Sequence, residues 1–218
     1  MNIDTEILTT VPTIFILLNW FGIVVFAISG ALAASRKEMD IIGFIIFANI
    51  TAIGGGTVRD MMLGLTPVFW VGDYHYIIVA TIAAIVVFFT AHISQSRFTL
   101  LLWADAIGIS TFCVLGAQIS LDAGISPVSA ILMAVITSSF GGLIRDVLAG
   151  ENSILLRQEI YLTAIFIGSA FYIGFIELSI DKNIAAIVGF LACLLIRGLA
   201  LKYSWYFPGY KSRAGRDY

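Results

Sequence analysis

The chain consists mostly of apolar runs joined by short polar connections. An α-helix needs about 20 mostly apolar residues to cross the hydrocarbon core of a bilayer, and seven runs have about this length. The pattern therefore predicts an all-α integral membrane protein. The seven predicted transmembrane segments are 12–34, 41–62, 74–93, 100–121, 127–148, 160–178 and 184–203.

Composition agrees with this class, since 60% of the 218 residues are hydrophobic and only 12% are charged. In soluble domains, roughly a quarter of all residues are charged. The connections leave no room for a soluble catalytic domain. A net charge of -2 gives no reason to expect a nucleic-acid partner, and nothing implies a soluble protein partner. The first ten residues hold no lysine or arginine, so we expect no cleaved signal peptide.

Lysine and arginine fall mainly in alternate connections, and such residues mark the cytoplasmic side of a membrane protein. Eight of them lie on one predicted side, and Lys182 alone lies on the other. This distribution predicts an N-terminus outside, a C-terminus inside, and a cytoplasmic tail over 204–218. The eight residues are Arg36, Lys37, Arg97, Arg157, Lys202, Lys211, Arg213 and Arg216.

A tract in the second segment recurs 86 positions later in the fifth. GGGTVRD at 54–60 corresponds to FGGLIRD at 140–146, and 14 of the 43 positions between 22 and 64 are identical at this offset. Each unit holds three segments, an odd number, so the second unit must enter the membrane from the opposite side. We therefore predict one membrane domain over 1–218. It is built as an inverted repeat, with repeat 1 at 12–93, repeat 2 at 100–178, and a seventh helix at 184–203.

The glycine clusters are the first candidate site. Inverted repeats are common in transport proteins, whose sites lie near the midplane on discontinuous helices. Glycine weakens a helix, and irregular backbone in a membrane is tolerated only inside protein or beside a water-filled cavity. Gly54, Gly55 and Gly56, with Gly141 and Gly142, therefore predict kinks or unwound turns that face a permeation path. Close helix packing is the structural alternative.

Each glycine cluster is followed by an Arg-Asp pair. Charges within a membrane are costly, so these side chains should face the interior and have partners. Neighbouring residues point about 100° apart around a helix, which disfavours pairing within Arg59-Asp60 or Arg145-Asp146. We consider partners across the repeat, Arg59 with Asp146 and Arg145 with Asp60, or carbonyl groups freed at the glycines. Alternatively, both pairs lie near helix ends and anchor them by reaching water.

Five hydroxyl side chains lie within one or two turns of the glycines. They could bind a cation, or they could hydrogen-bond to their own helix. Asp105, which corresponds to Asn19, and Glu177 are interpreted as helix-terminal residues, and Arg197 as reaching the cytoplasmic interface. The five hydroxyl residues are Thr51, Thr57, Thr137, Ser138 and Ser139.

Enzyme motifs are missing from the sequence. It has no serine-nucleophile elbow, no P-loop and no metal-ligand spacing. Asp60 and Asp146 each come with an arginine that would keep the carboxylate ionised. We therefore expect no enzyme activity, no structural metal and no cofactor.

The doubled glycine-Arg-Asp motif, within three plus three plus one helices, resembles the prokaryotic branch of the trimeric intracellular cation (TRIC) channel family. The resemblance covers about residues 12 to 203. It implies a homotrimer in a prokaryotic cytoplasmic membrane, with one pore per protomer between a kinked second and a kinked fifth helix. Monovalent cations such as K⁺ or Na⁺ would bind transiently near the glycine kinks, and membrane lipid is an expected partner.

The second copy departs from the triple glycine, because Phe140 stands where the first copy has Gly54. Phe140 is therefore predicted to narrow or gate the path. Exposed arginines in a pore would favour anions, so a cation channel requires Arg59 and Arg145 to be neutralised. The main alternative is a secondary transporter for a small solute such as an amino acid, which uses the same inverted repeat.

Overall fold

The computed structural model describes residues 13–93, 96–154 and 160–205, and this part of the chain is helical without a β-strand. The prediction of an all-α protein of apolar helices is confirmed. Most of the predicted tail (204–218) lies outside the described residues, as does Arg157. The main helices within these described ranges are α1 (Thr13–Arg36), α2 (Ile41–Leu63), α3 (His75–Thr90), α4 (Arg97–Asp122), α5 (Pro127–Leu148), α6 (Leu162–Glu177) and α7 (Lys182–Tyr203).

The helices differ in length. Six described helices are long and apolar enough to cross a membrane when α3 is counted together with the 3-10 turn Ala91–Ile93 that continues it, whereas α6 has 16 residues and is shorter. A one-turn helix, Phe69–Gly72, lies in the connection between α2 and α3. We call it the Phe69 turn.

Helices α2 and α5 begin at positions that correspond under the 86-residue offset, and their ends correspond to within one residue. The side chain of Asp40 accepts a hydrogen bond from the backbone N–H of Gly43 at 2.8 Å, and Ser126 accepts one from Ser129 at 3.4 Å. Both residues are favourable N-caps. The helices are followed by Gly64 and Gly150, with φ of 69° and 63°, a left-handed conformation that glycine adopts readily. Local sequence thus determines both boundaries.

Helices α1 and α4 pack against each other through small residues and stacked rings. Gly22 lies against the ring of Phe112, and Gly108 lies against the ring of Phe26. The two rings stack with centroids 5.1 Å apart. Gly22 corresponds to Gly108, and Phe26 corresponds to Phe112, under the 86-residue offset. The two contacts are therefore equivalent, with the two helices exchanged. The residue order shows that α1 and α4 run in opposite directions.

A second pair of glycines joins α1 to α2 and α4 to α5. A Cβ at Gly30 would lie 2.6 Å from Thr51 Oγ1 and would overlap the carbonyl oxygen of Phe47. A Cβ at Gly116 would lie 3.0 Å from both Thr137 Oγ1 and the Cα of Ala134. Small residues allow membrane helices to approach this closely.

Replacing Gly30 with alanine should destabilise the protein, because the added methyl group meets backbone that cannot move aside. We expect a loss of about 1–3 kcal/mol, as for overpacked cores, and a lower melting temperature in detergent. Gly174→Ala is the matched control, since nothing lies within 4 Å of a Cβ at that helical position. Equal melting temperatures for the two variants would contradict this account of the packing.

Candidate functional site

Helices α2 and α5 cross with their backbones in contact. Gly55 faces the carbonyl oxygen of Thr137, and Gly141 faces the carbonyl oxygen of Thr51, so closely that a Cβ at either glycine would overlap the oxygen. Residue numbers rise along one helix as they fall along the other, so α2 and α5 run in opposite directions here. The two contacts correspond under the 86-residue offset. We call this region the glycine crossing.

Of the predicted kinks or unwound turns at the glycines, the unwound turns are wrong for this structure, and the kinks stay a prediction. Both α2 and α5 are continuous α-helices through the clusters, and Gly54, Gly55, Gly56, Gly141 and Gly142 are all buried. Glycine weakens a helix, but here neighbouring helices hold it in place. Gly55 and Gly141 lack the Cβ atoms that would keep α2 and α5 apart, which is the packing role considered above.

The five hydroxyl side chains all donate to the carbonyl four residues earlier in their own helix. The distances from oxygen to oxygen are 2.7 Å for Thr51, Thr137, Ser138 and Ser139, and 2.8 Å for Thr57. This pattern satisfies each hydroxyl proton locally. The lone pairs of the oxygens remain as acceptors.

The two residues of the first Arg-Asp pair, Arg59 and Asp60, are buried and bind each other. Asp60 Oδ1 accepts hydrogen bonds from Arg59 Nε at 2.9 Å and Nη2 at 2.7 Å. The other oxygen, Oδ2, accepts the backbone N–H of Phe69 at 2.9 Å. Arg59 and Asp60 are only 5% and 2% exposed, so neither reaches water as an anchor would.

The motif also holds the Phe69 turn against α2. The ring of Phe69 covers Gly56, where a Cβ would lie 2.6 Å from ring atom Cε1. The guanidinium of Arg59 lies 5.7 Å from the centroid of the same ring, within the range of a cation–π interaction. Trp70 Nε1 donates to Thr57 Oγ1 at 2.9 Å. The tract from Gly56 to Asp60 therefore binds the turn that follows its own helix.

The second pair repeats this arrangement and adds to it. Arg145 Nε donates to Asp146 Oδ1 at 2.8 Å, and Asp146 Oδ2 accepts the backbone N–H of Ile154 at 2.8 Å. Arg145 Nη1 also donates to Asp105 Oδ1 at 3.0 Å and to Ser29 Oγ at 2.5 Å. Arg145 thus connects α5 to α1 and α4.

The predicted cross-repeat partners, Arg59 with Asp146 and Arg145 with Asp60, are not formed. The antiparallel crossing puts the two pairs on opposite sides of its centre, about 20 Å apart along the helices at 1.5 Å per residue. Pairing within each motif is possible because the long arginine side chain bends back to its neighbour. The backbone N–H of Phe69 or Ile154 fixes the aspartate in position.

Two charged residues have a different role from the predicted one. Asp105 is fully buried and bound to Arg145 rather than exposed at a helix end, and Arg197 is also 0% exposed. Arg197 Nη1 donates to the carbonyl of Ile160 at 3.3 Å, and its guanidinium lies 5.1 Å from the centroid of the Tyr161 ring. The sequence held one indication of the different role of Asp105: it stands where the first repeat has the uncharged Asn19.

The predicted gate, Phe140, lies next to Gly141 of the glycine crossing. Phe140 is half-buried in α5. At its counterpart, Gly54, a Cβ would lie 3.2 Å from Ile144 Cδ1 and 3.6 Å from the Cα of Gly141. The gating role of Phe140 stays a prediction.

Comparisons with known proteins identify the family. A family model described as Glycine transporter matches the chain over residues 16–92 and again over 102–177. The two matches begin 86 positions apart, the same offset as the sequence repeat. Together they cover more than half of the chain.

Bacterial membrane proteins are similar over most of their length. A protein of Vibrio cholerae serotype O1, described as UPF0126 membrane protein, is 40% identical over 193 residues, which are 88% of this chain and 81% of that protein. The UPF0126 inner membrane protein YadS of Escherichia coli strain K12 is 38% identical over 200 residues, which are 88% of this chain and 95% of that protein.

Solved structures show the same fold. The TRIC channel orthologue from Rhodobacter sphaeroides superposes with a TM-score of 0.87 at 46% identity, over 89% of this chain and 100% of that one. The chain belongs to the prokaryotic TRIC channel family. A further prokaryotic TRIC channel, solved in 0.5 M KCl, gives a TM-score of 0.84 at 34% identity, over 88% of this chain and 98% of that one.

Family membership confirms the resemblance seen in the doubled motif. This TRIC family member is a multi-pass protein of a prokaryotic inner membrane, as the bacterial relatives and the apolar helices agree. The solved structures to which it is similar are described as channels rather than enzymes.

Removing the charge of Asp60 should destabilise the protein strongly. Asp60→Asn leaves the buried guanidinium of Arg59 without its anion, and breaking a buried pair in this way costs about 3–5 kcal/mol. Thermal unfolding of the purified protein in detergent measures the effect. Asp73→Asn is the control, because Asp73 pairs with His75 near the surface and outside the long helices. A melting temperature for Asp60→Asn as high as that of the control would show that the pair carries no stability.

Proposed function

We propose that this TRIC family member is a passive channel for monovalent cations of the potassium type, with one pore in each protomer between α2 and α5. Membership of this family supports a cation channel, because similar solved proteins are described as cation channels. The glycine crossing supports the location, since α2 and α5, one from each half, meet there through their backbones.

The observation that carries the proposal is the neutralisation of both arginines. A pore lined by free guanidinium groups would repel cations. Arg59 is bound to Asp60 through two hydrogen bonds, and Arg145 is bound to Asp146 and Asp105. The motif therefore adds no uncompensated positive charge, and carbonyl and hydroxyl oxygens are left to select the ion.

We further propose that the two halves form an inverted repeat related by an axis in the membrane plane. The exchanged contacts of Gly22 with Phe112 and of Gly108 with Phe26 support this, as do the exchanged contacts at the glycine crossing. The distribution of lysine and arginine favours an N-terminus outside and a C-terminus in the cytoplasm. The Phe69 turn then lies on the outer side, and Arg145 lies on the inner side.

The glycine crossing serves in this proposal as the closed constriction. Direct backbone contact leaves no space for an ion between α2 and α5 at that point. Conduction then requires the two helices to separate, which brings the carbonyl groups of Thr51 and Thr137 within reach of a passing K⁺ or Na⁺ ion. Phe140, which breaks the symmetry of the crossing, is the proposed gate.

The proposal also includes the oligomeric state of the protein. The solved TRIC orthologue is described as trimeric, and we propose a homotrimer of this chain, in which each protomer keeps its own pathway. Membrane lipid is the expected surrounding partner. The permeant cation is cargo, and the proposal requires no cofactor.

Purified protein in a planar bilayer under a potassium chloride gradient tests the function. We expect discrete unitary currents that reverse near the potassium equilibrium potential, because the arginines are neutralised. Reversal near the chloride potential would overturn cation selectivity. Absence of currents, together with saturable uptake of a labelled amino acid into vesicles, would replace the channel with a secondary transporter.

A further inference from the structure

An ion pair joins two connections at the end of the bundle where α1 and α5 finish. Arg36 is the last residue of α1, and Glu151 follows the end of α5 by three positions. Arg36 Nη1 donates to Glu151 Oε2 at 2.8 Å, and Lys37 Nζ lies 3.5 Å from Glu151 Oε1. We call Arg36, Lys37 and Glu151 the inner bridge, because basic residues in this connection favour the cytoplasmic side.

The start of α4 holds the inner bridge from its other side. The guanidinium of Arg36 lies 4.6 Å from the centroid of the Phe98 ring, within the range of a cation–π interaction. Arg97 Nη1 donates to the carbonyl of Ser35 at 3.0 Å. The side chain of Arg36 therefore lies between α4 and Glu151, which restricts it to the geometry of the ion pair.

The inner bridge connects the segments next to the two pathway helices. Lys37 lies three positions before Asp40, whose side chain caps the start of α2. Glu151 lies just beyond the end of α5. Because so few residues separate Lys37 from the cap, a displacement of the start of α2 away from α5 pulls Lys37 from Glu151. The inner bridge thus holds the inner ends of α2 and α5 together.

The equivalent connection in the other half cannot form this ion pair. Under the 86-residue offset, Glu151 corresponds to the uncharged Leu65. The backbones match, because the N–H of Glu151 donates to the carbonyl of Asp146 at 3.0 Å and that of Leu65 donates to the carbonyl of Asp60 at 2.9 Å. Side chains alone therefore distinguish the inner end of the pathway from the outer end.

We propose that the inner bridge is an ionic latch that favours the closed glycine crossing. The inference rests on the proposed channel, in which α2 and α5 must separate for ions to pass. The side chains of Arg36 and Glu151 are 28% and 22% exposed, so water reaches the pair and weakens it to the strength of a surface ion pair. Such a latch sets the fraction of time that the channel is open without blocking the path permanently.

Neutralising either side of the latch tests it. In Glu151→Gln and in Arg36→Gln, we expect the ratio of open to closed time in single-channel potassium recordings to rise about twofold to fivefold. The two substitutions change the net charge in opposite directions, so a common shift identifies a broken pair rather than a changed surface potential. The double variant should shift the ratio no further than Glu151→Gln alone. Opposite shifts in the two single variants would overturn the latch.

Glu38→Gln is the matched control. Glu38 is exposed in the same connection, next to Lys37 but outside the inner bridge. The substitution removes the same charge as Glu151→Gln from the same end of the bundle, and we expect it to leave the ratio of open to closed time unchanged. A rise as large as that of Glu151→Gln would show that net charge, rather than the ion pair, controls opening.

Hydrogen–deuterium exchange separates the latch from the proposed function. The backbone amides of residues 147–151 report opening at the end of α5 without any current. We expect faster exchange there in Glu151→Gln and Arg36→Gln, but not in Glu38→Gln. Faster exchange in a protein that carries no potassium current would uphold the latch and overturn the channel. Unchanged exchange in Glu151→Gln, or an unchanged ratio of open to closed time in a conducting Glu151→Gln protein, would overturn the latch.

Discussion

Direct contact between the backbones of two antiparallel helices is the constraint on which this structure depends. Only a residue without a Cβ can face a carbonyl oxygen at such a distance, so Gly55 and Gly141 fix where α2 and α5 meet. The 86-residue offset then places one Arg-Asp pair on each side of the contact. The separation of the two charge sites follows from this register.

The charges of the two Arg-Asp pairs are compatible with a membrane because each pair is matched locally. Asp60 and Asp146 each use one oxygen for the neighbouring arginine and the other for a backbone N–H beyond the helix. The side chains thus fix the connections that follow α2 and α5 as well as neutralising each other. A buried pair gains little net stability unless such additional hydrogen bonds complete it, and here the connecting segments supply them.

The sequence was sufficient for the apolar helices, the 86-residue offset and the family, because hydrophobic run length and repeated motifs are visible along one chain. It was not sufficient for the partners of the arginines. The choice between Asp60 and Asp146 for Arg59 depends on the distance across the helix crossing, which no local pattern contains. Likewise, Arg197 lies in the last helix, and nothing in the sequence indicates that it packs against the Tyr161 ring. The glycines were recognised as special, but their effect in a packed bundle is close approach rather than an unwound turn.

Locking the glycine crossing provides the most direct measurement of the central claim, that α2 and α5 must separate for ions to pass. Cysteines introduced by Gly54→Cys and Ile144→Cys would face each other across the contact between α2 and α5, since a Cβ at Gly54 is 3.2 Å from Ile144 Cδ1, and oxidation is used to join them. Cys113 and Cys193 are replaced by alanine to prevent other pairings, and mass analysis verifies the cross-link. Unitary potassium currents that disappear on oxidation and return on reduction are the predicted result. Undiminished currents through the cross-linked protein would contradict the account.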